Sequence, residues 1–267
     1  MIAPARRIAM LDSGLGGLTV FSALRRALSD IDVFYFADTA RAPYGDRPLR
    51  EVAAFGQQIV ERARRYKPAL MIVASGTTCA AFEEVAWTPD DMPIVGVVAA
   101  GARAAAAQSA SGRIGVIATA GTIASGIFER KLRDVNSSLR ITSVGAPKLV
   151  PLVESGEWAS DEAKMAVAHY CEPFRAAGCD AVILGCTHFP HLQPWFERAL
   201  GPSVVLIDPA PASAHAAAAL VAHSPPGQGS LIFEVSGDAD QFAQRAFELA
   251  GVKAQTTSHV DFSEQVE

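Results

Sequence analysis

The chain has 267 residues, half of them hydrophobic and 19% charged. That is enough for one large α/β unit or two small lobes, and too apolar for disorder. The formal net charge is −5 and no basic run stands out, which argues against a nucleic-acid partner but leaves room for a small anion held by a few local donors.

No apolar run reaches membrane-spanning length, and the first residues lack the apolar core of a signal peptide. The expected setting is cytoplasmic, with no membrane.

In chain order, a short apolar run at Ile8–Leu11 ends at Asp12-Ser13-Gly14-Leu15-Gly16-Gly17, and a helix is predicted over roughly Leu18–Ala27. A second strand at Val33–Phe36 ends at Ala37-Asp38-Thr39. Helical spacing follows over Glu51–Tyr66. Strands are predicted at Met71–Ala74, Ile94–Val98, Arg113–Ile117, Ala181–Leu184 and Val204–Ile207. Short Val/Ile-rich runs alternating with helix-length segments predict an α/β fold with mainly parallel sheets and helices on both faces.

Small polar residues recur where these strands end: Asp12, Ser13, Asp38, Thr77, Thr78, Cys186, Thr187 and His188. Open α/β sheets bind ligands outside the carboxyl ends of their strands, so these residues are expected to converge on one cleft. Taken singly, Ser, Thr and Asp here also read as helix caps. A cap needs no thiol beside an imidazole, which sets Cys186 and His188 apart.

The four cysteines, Cys79, Cys171, Cys179 and Cys186, form no CxxC pair. Disulfides are not expected, and only Cys186, His188 and His191 approach the spacing of a zinc site, so no metal is assigned. The Gly-rich turn at Gly14–Gly17 is neither GxGxxG nor a Walker loop, so a nucleotide site is not favoured.

The stretch Lys67–Thr77 echoes Ala177–Thr187, each running from a helix end through an apolar strand into a small-residue turn with Thr. The echo suggests two similar halves facing one ligand. In its register Gly76 is the counterpart of Cys186.

Several ordered segments carry a resemblance. They are Asp12–Leu18, Asp38–Gly45, Pro93–Val97, Gly121–Ile123, Leu149–Glu154, Gly185–Pro190, Ile207–Ala210 and Ser236–Asp238. Together they resemble the glutamate racemases of the aspartate/glutamate racemase superfamily. The resemblance implies two pseudo-symmetric doubly wound lobes with an active site between them, here 1–98 plus 208–267 and 99–207, often in a homodimer. It implies cofactor-free interconversion of L- and D-glutamate by two thiols on opposite faces, supplying D-glutamate for peptidoglycan. The partner implied is a small dicarboxylic amino acid.

One departure stands out. The family carries Ala-Cys-Asn-Thr after its third strand, where this chain has Ser75-Gly76-Thr77-Thr78. Counting forward from Pro43-Tyr44-Gly45 puts the cysteine position on Gly76. Counting back from Pro93-Ile94-Val95-Gly96 puts it on Ser75. The echo agrees with Gly76, which is preferred, and neither residue is a thiol.

Removing an amino-acid α-proton needs a close base and donors for the charge that develops on the carboxylate. A thiolate needs a nearby positive charge or dipole. Cys186 has His188 two residues on and stands at a predicted helix N-terminus. The resemblance implies that Glu154 orients His188, that Asp12 serves the other face, and that Gly76, Thr77, Thr78 and Thr187 hold carboxylates. Ser13, Pro43, Tyr44 and Gly45 complete the implied pocket. Cys79 is expected to pack rather than reach the ligand.

Two alternatives remain at this stage. One is a single-thiol decarboxylase of the arylmalonate type, which carries glycine in place of one cysteine. The other is a catalytically impaired amino-acid-binding homologue.

Overall fold

A computed structural model describes residues 6–263. Among these residues ten strands form two sheets, all parallel. They are β1 (Arg7–Asp12), β2 (Asp32–Ala37), β3 (Leu70–Val73), β4 (Ile94–Gly96), β5 (Arg113–Ala118), β6 (Arg140–Gly145), β7 (Ala181–Leu184), β8 (Val205–Ile207), β9 (Leu231–Val235) and β10 (Thr256–His259). The first sheet has the order β10-β9-β2-β1-β3-β4 and the second β6-β5-β7-β8.

The order β2-β1-β3-β4 in one sheet repeats as β6-β5-β7-β8 in the other. The chain therefore traces the same four-strand path twice, and β9 and β10 extend the first copy. The central strands β1, β2, β3 and β7 are buried almost throughout. Continuous apolar runs are what a strand covered by helices on both faces requires.

One core joins the two sheets. Helices Leu18–Ala27 and Val97–Gln108 both pack against helix Pro209–Leu220. Their apolar side chains form one cluster with Ile8, Met10, Ile72, Ile114, Val116 and Ile183. Each fully buried aliphatic side chain contributes about 1.5–3 kcal/mol, so this shared layer strongly resists separation of the halves. The opposite faces have separate cores, around Phe36 and Val73 in one and around Phe174 and Phe196 in the other.

The sequence places seven of the strands to within a residue or two. Predicted Ile94–Val98 stops at Gly96, because Val97 and Val98 begin the helix Val97–Gln108. Predicted Glu51–Tyr66 is a helix at Leu49–Ala63 followed by a tighter turn at Arg64–Tyr66. Three strands had no sequence expectation. Those at Arg140–Gly145 and Thr256–His259 are edge strands with polar, partly exposed residues. The one at Leu231–Val235 carries Glu234, a buried carboxylate paired with Arg62 and Tyr66.

Candidate active site

The strand ends of the two sheets face a shared cavity of about 120 Å³, which suits a small molecule. From the first sheet come Asp12, Ser13, Pro43, Tyr44, Gly45 and the Ser75-Gly76-Thr77 turn. From the second come Thr119, Thr122, Glu154, Cys186, Thr187 and His188. The residues singled out in the sequence are thus brought together, with two exceptions.

Thr78 is the first. Its side chain is fully buried and absent from the cavity wall. It packs toward helix Leu49–Ala63, where its methyl group would lie 3.2 Å from a Cβ built on Gly56. Thr78 Oγ1 has no hydrogen-bond partner among the described residues. It follows Thr77 on a helix, so its side chain points about 100° away, and the expected ligand contact is not made.

The second is Asp38, which stands behind Tyr44. Its carboxylate accepts from the Tyr44 hydroxyl, from Arg41 Nε at 2.7 Å and from Ser236 Oγ at 2.7 Å. Burial, with the Asp38 charge second, pushes the Tyr44 phenol far above its ordinary range, so it stays a neutral donor. Asp38 thereby anchors the tyrosine wall and does not meet the cavity.

Cys186 forms one corner of the cavity. Its Sγ lies 3.7 Å from His188 Nδ1, and His188 Nε2 lies 3.1 Å from Glu154 Oε1. Burial alone would lower the imidazole, but the bonds to Cys186 and Glu154 outweigh it and raise His188 to about 10. The raised imidazole favours a charged ring beside the sulfur. Glu154 is held below the usual carboxylate range by its bond to His188, against a desolvation that opposes it. Its backbone carbonyl accepts from Arg245.

The other three cysteines lack such partners. Burial pushes Cys79 up to about 11 and Cys171 up to about 12, and it raises Cys179. Cys79 Sγ points to the carbonyl of Val73 at 3.7 Å and lines a different, apolar cavity. It packs, as expected. His191 is depressed to about 4, by burial first and then by the charge of His188.

Asp12 is buried at the end of β1. One carboxylate oxygen accepts from the N–H groups of Gly14 and Gly17, each at 3.0 Å. Burial raises its pKa, opposed by the charge of His188 and by these N–H bonds. The adjoining Gly16 lies against the turn that follows β7. A Cβ there would lie 2.8 Å from His188 Nδ1 and would also strike the Thr187 hydroxyl. Only glycine lets the two turns approach this closely.

Strand register corrects one expectation. Leu11 pairs with Val73, and the Ala74 N–H donates to the Leu11 carbonyl at 2.9 Å. In the second sheet Ile117 pairs with Leu184, and the Gly185 N–H donates to the Ile117 carbonyl at 2.7 Å. Ala74 therefore corresponds to Gly185, Ser75 to Cys186, Gly76 to Thr187 and Thr77 to His188. The counterpart of Cys186 is Ser75, not Gly76. The echo matched Thr77 to Thr187 by letter and slipped by one residue, which in a strand reverses the face of every side chain. The local parallel with glycine-bearing decarboxylases is lost with it.

Ser75 caps the helix Gly76–Glu84, its hydroxyl accepting from the Thr78 N–H at 3.2 Å. Gly76 follows where a Cβ would come within 3.0 Å of the Gly185 carbonyl oxygen. Thr77 joins a cluster of three hydroxyls, with Thr119 at 3.3 Å and Thr122 at 3.1 Å, the latter two 2.9 Å apart. Thr119 and Thr122 were not singled out in the sequence as site residues. The strand-end rule locates Thr119, because β5 stops at Ala118 and Thr119 caps the next turn.

The sequence model of the Asp/Glu/Hydantoin racemase family matches residues 15–217. The chain belongs to that family. It is 38% identical to a glutamate racemase of Desulforudis audaxviator over 95% of this chain and 97% of that protein. Among solved structures, a glutamate racemase isoform of Bacillus anthracis superposes with a TM-score of 0.88 at 31% identity, covering 95% of this chain and 97% of that one. A glutamate racemase of Francisella tularensis in complex with D-glutamate superposes at 0.85 with 25% identity, over 96% of this chain and 98% of that one. The two-sheet architecture is the one these glutamate racemases share. As an Asp/Glu/hydantoin racemase family member, the chain has an unequal pair of strand-end turns, one with a thiol and one with a hydroxyl. No described helix is long and apolar enough to cross a membrane.

Proposed function

We propose that the protein interconverts L- and D-glutamate without a cofactor, with Cys186 as its acid/base thiol. The observation that carries this reading is the Cys186–His188–Glu154 chain, set in a cavity between two sheets of a racemase-family fold. Cys186 takes or returns the α-proton. His188 holds positive charge against the sulfur, Glu154 orients the ring, and Asp12 answers the substrate's ammonium group or acts on the far face.

The rest of the cavity suits two carboxylates. The helix Gly76–Glu84 begins at the cavity wall, and its free N–H groups and positive dipole end favour an anion. The hydroxyls of Thr77, Thr119 and Thr122 add donors beside it. Ser13, Pro43, Tyr44, Gly45 and Thr187 close the remaining walls. Donors placed where enolate-like charge develops lower the barrier more than donors that merely bind the ground state.

By resemblance we further assign a cytoplasmic, homodimeric enzyme that supplies D-glutamate for peptidoglycan. We divide it into lobes 1–98 plus 208–267 and 99–207, a division in which each sheet stays whole. The direct test is incubation of the purified chain with each enantiomer of glutamate in deuterium oxide. The α-hydrogen signal should disappear from at least one enantiomer and persist in Cys186→Ala. Retention of the α-hydrogen in both enantiomers would exclude the proposal.

A further inference from the structure

The two turns that face each other across the cavity are structural equivalents with unequal chemistry. Cys186 has an imidazole against it and a carboxylate behind that ring. Its equivalent, Ser75, is bonded to the N–H of Thr78, and among the described residues no titratable side chain donates to or accepts from its hydroxyl. The equivalent of His188 is Thr77, whose only side-chain partners among the described residues are the Thr119 and Thr122 hydroxyls. A serine or threonine hydroxyl without an adjacent base is a poor proton acceptor. Asp12, the buried carboxylate of this lobe, has one oxygen engaged by two backbone N–H groups.

We infer that the site works from one face: it exchanges the α-proton of one glutamate enantiomer with solvent, with retention of configuration, faster than it racemises it. The inference rests on the reading of Cys186 as the acid/base thiol. The step balances without oxidation or reduction. The Cα–H bond breaks, an S–H bond forms on Cys186, and the electron pair moves onto the α-carboxylate. The sulfur then trades its proton with water and returns a solvent-derived proton to the same face of the carbon.

Two routes reach water from this sulfur. Cys186 itself is 9% exposed at the cavity. His188 connects it to Glu154, whose side chain is 45% exposed. Inversion requires a proton from the opposite face, where Ser75 and Thr77 offer hydroxyls and the Asp12 carboxylate has one oxygen held by two backbone N–H groups. Slow protonation there also means slow abstraction there, so the other enantiomer is a poor substrate for exchange as well.

The experiment uses the full chain with L-glutamate and D-glutamate separately in deuterium oxide. The α-hydrogen is followed by proton NMR, and handedness by chiral chromatography of the same samples. One enantiomer should lose its α-hydrogen at least tenfold faster than it changes handedness, while the other is slow in both. Ser75→Cys restores a sulfur at the equivalent position and should narrow that ratio tenfold or more. Its thermal melt is read alongside, and Asp12→Asn is measured in parallel.

Equal rates of exchange and inversion for both enantiomers would overturn the inference while leaving the racemase reading intact; loss of inversion alone in Asp12→Asn would then name the second base. A folded Ser75→Cys with an unchanged ratio would also overturn it. Absence of exchange from both enantiomers defeats the racemase reading itself, and the inference with it.

Discussion

The turn after β3 and the turn after β7 occupy the same place in two copies of one four-strand path, yet they are built for different work. Gly185-Cys186-Thr187-His188 assembles a sulfur, an imidazole raised to about 10 and a carboxylate in sequence. Ala74-Ser75-Gly76-Thr77 assembles a helix cap and a cluster of hydroxyls. The backbone repeat fixes where a group stands. The neighbours of that group fix whether it can move a proton. A pseudo-symmetric fold therefore does not guarantee a symmetric reaction, and pairwise contacts must be read at each turn separately.

The largest effect should come from removing the sulfur. Cys186→Ala is expected to lower α-proton exchange by about a thousandfold or more, because a unit of coupled catalytic groups fails together. Exchange by NMR is the check, and a loss of less than tenfold would erase the contrast between the turns.

Next comes the place where the first lobe presses on that unit. Gly16→Ala puts a methyl group into the His188 ring and the Thr187 hydroxyl. A displacement of the ring by part of an ångström should cost about tenfold or more in kcat, with a smaller change in KM. Steady-state kinetics on the folded variant decide it. An unaltered kcat would mean that His188 need not hold its position.

The pH dependence sharpens the comparison further. His188 is raised from 6.5 to about 10 in the folded chain. The stability contributed by its charged form is therefore complete below about pH 6.5, the unfolded value. It is lost as pH rises through the folded value. Urea midpoints should fall across that alkaline window. In Glu154→Gln the ring loses a charged partner and the fall should shrink. An identical slope in both proteins would detach Glu154 from the imidazole. The Ser75 turn has no titratable pair and should add nothing to this window.

The smallest effect belongs to the capping turn. Ser75→Ala removes the acceptor for the Thr78 N–H and is expected to cost about 1 kcal/mol. Chemical denaturation measures it. A cost near zero would show that water or another group replaces the cap.

Much of this was legible in the sequence. The apolar runs at β1, β2, β3 and β7 announced buried parallel strands, because a strand covered on both faces must be apolar at nearly every position. Their polar ends announced the site, because loops at strand termini are where such sheets bind ligands. The thiol–imidazole spacing of Cys186 and His188 picked out a pair that meets at the cavity.

Other features depended on partners distant in sequence. Edge strands at 140–145 and 256–259 are half solvated, so their residues carry no apolar signal. Thr78 and Asp38 look like ligand contacts by position, and only packing turns one toward helix Leu49–Ala63 and the other behind Tyr44.

The sequence by itself determined the fold class, the thiol–imidazole pair and the family. These follow from local hydrophobic pattern and from short contiguous motifs. The tertiary structure alone decided that Ser75 rather than Gly76 is the counterpart of Cys186. A linear match can slide by one residue at little cost in similarity, whereas hydrogen bonds between strands allow a single register.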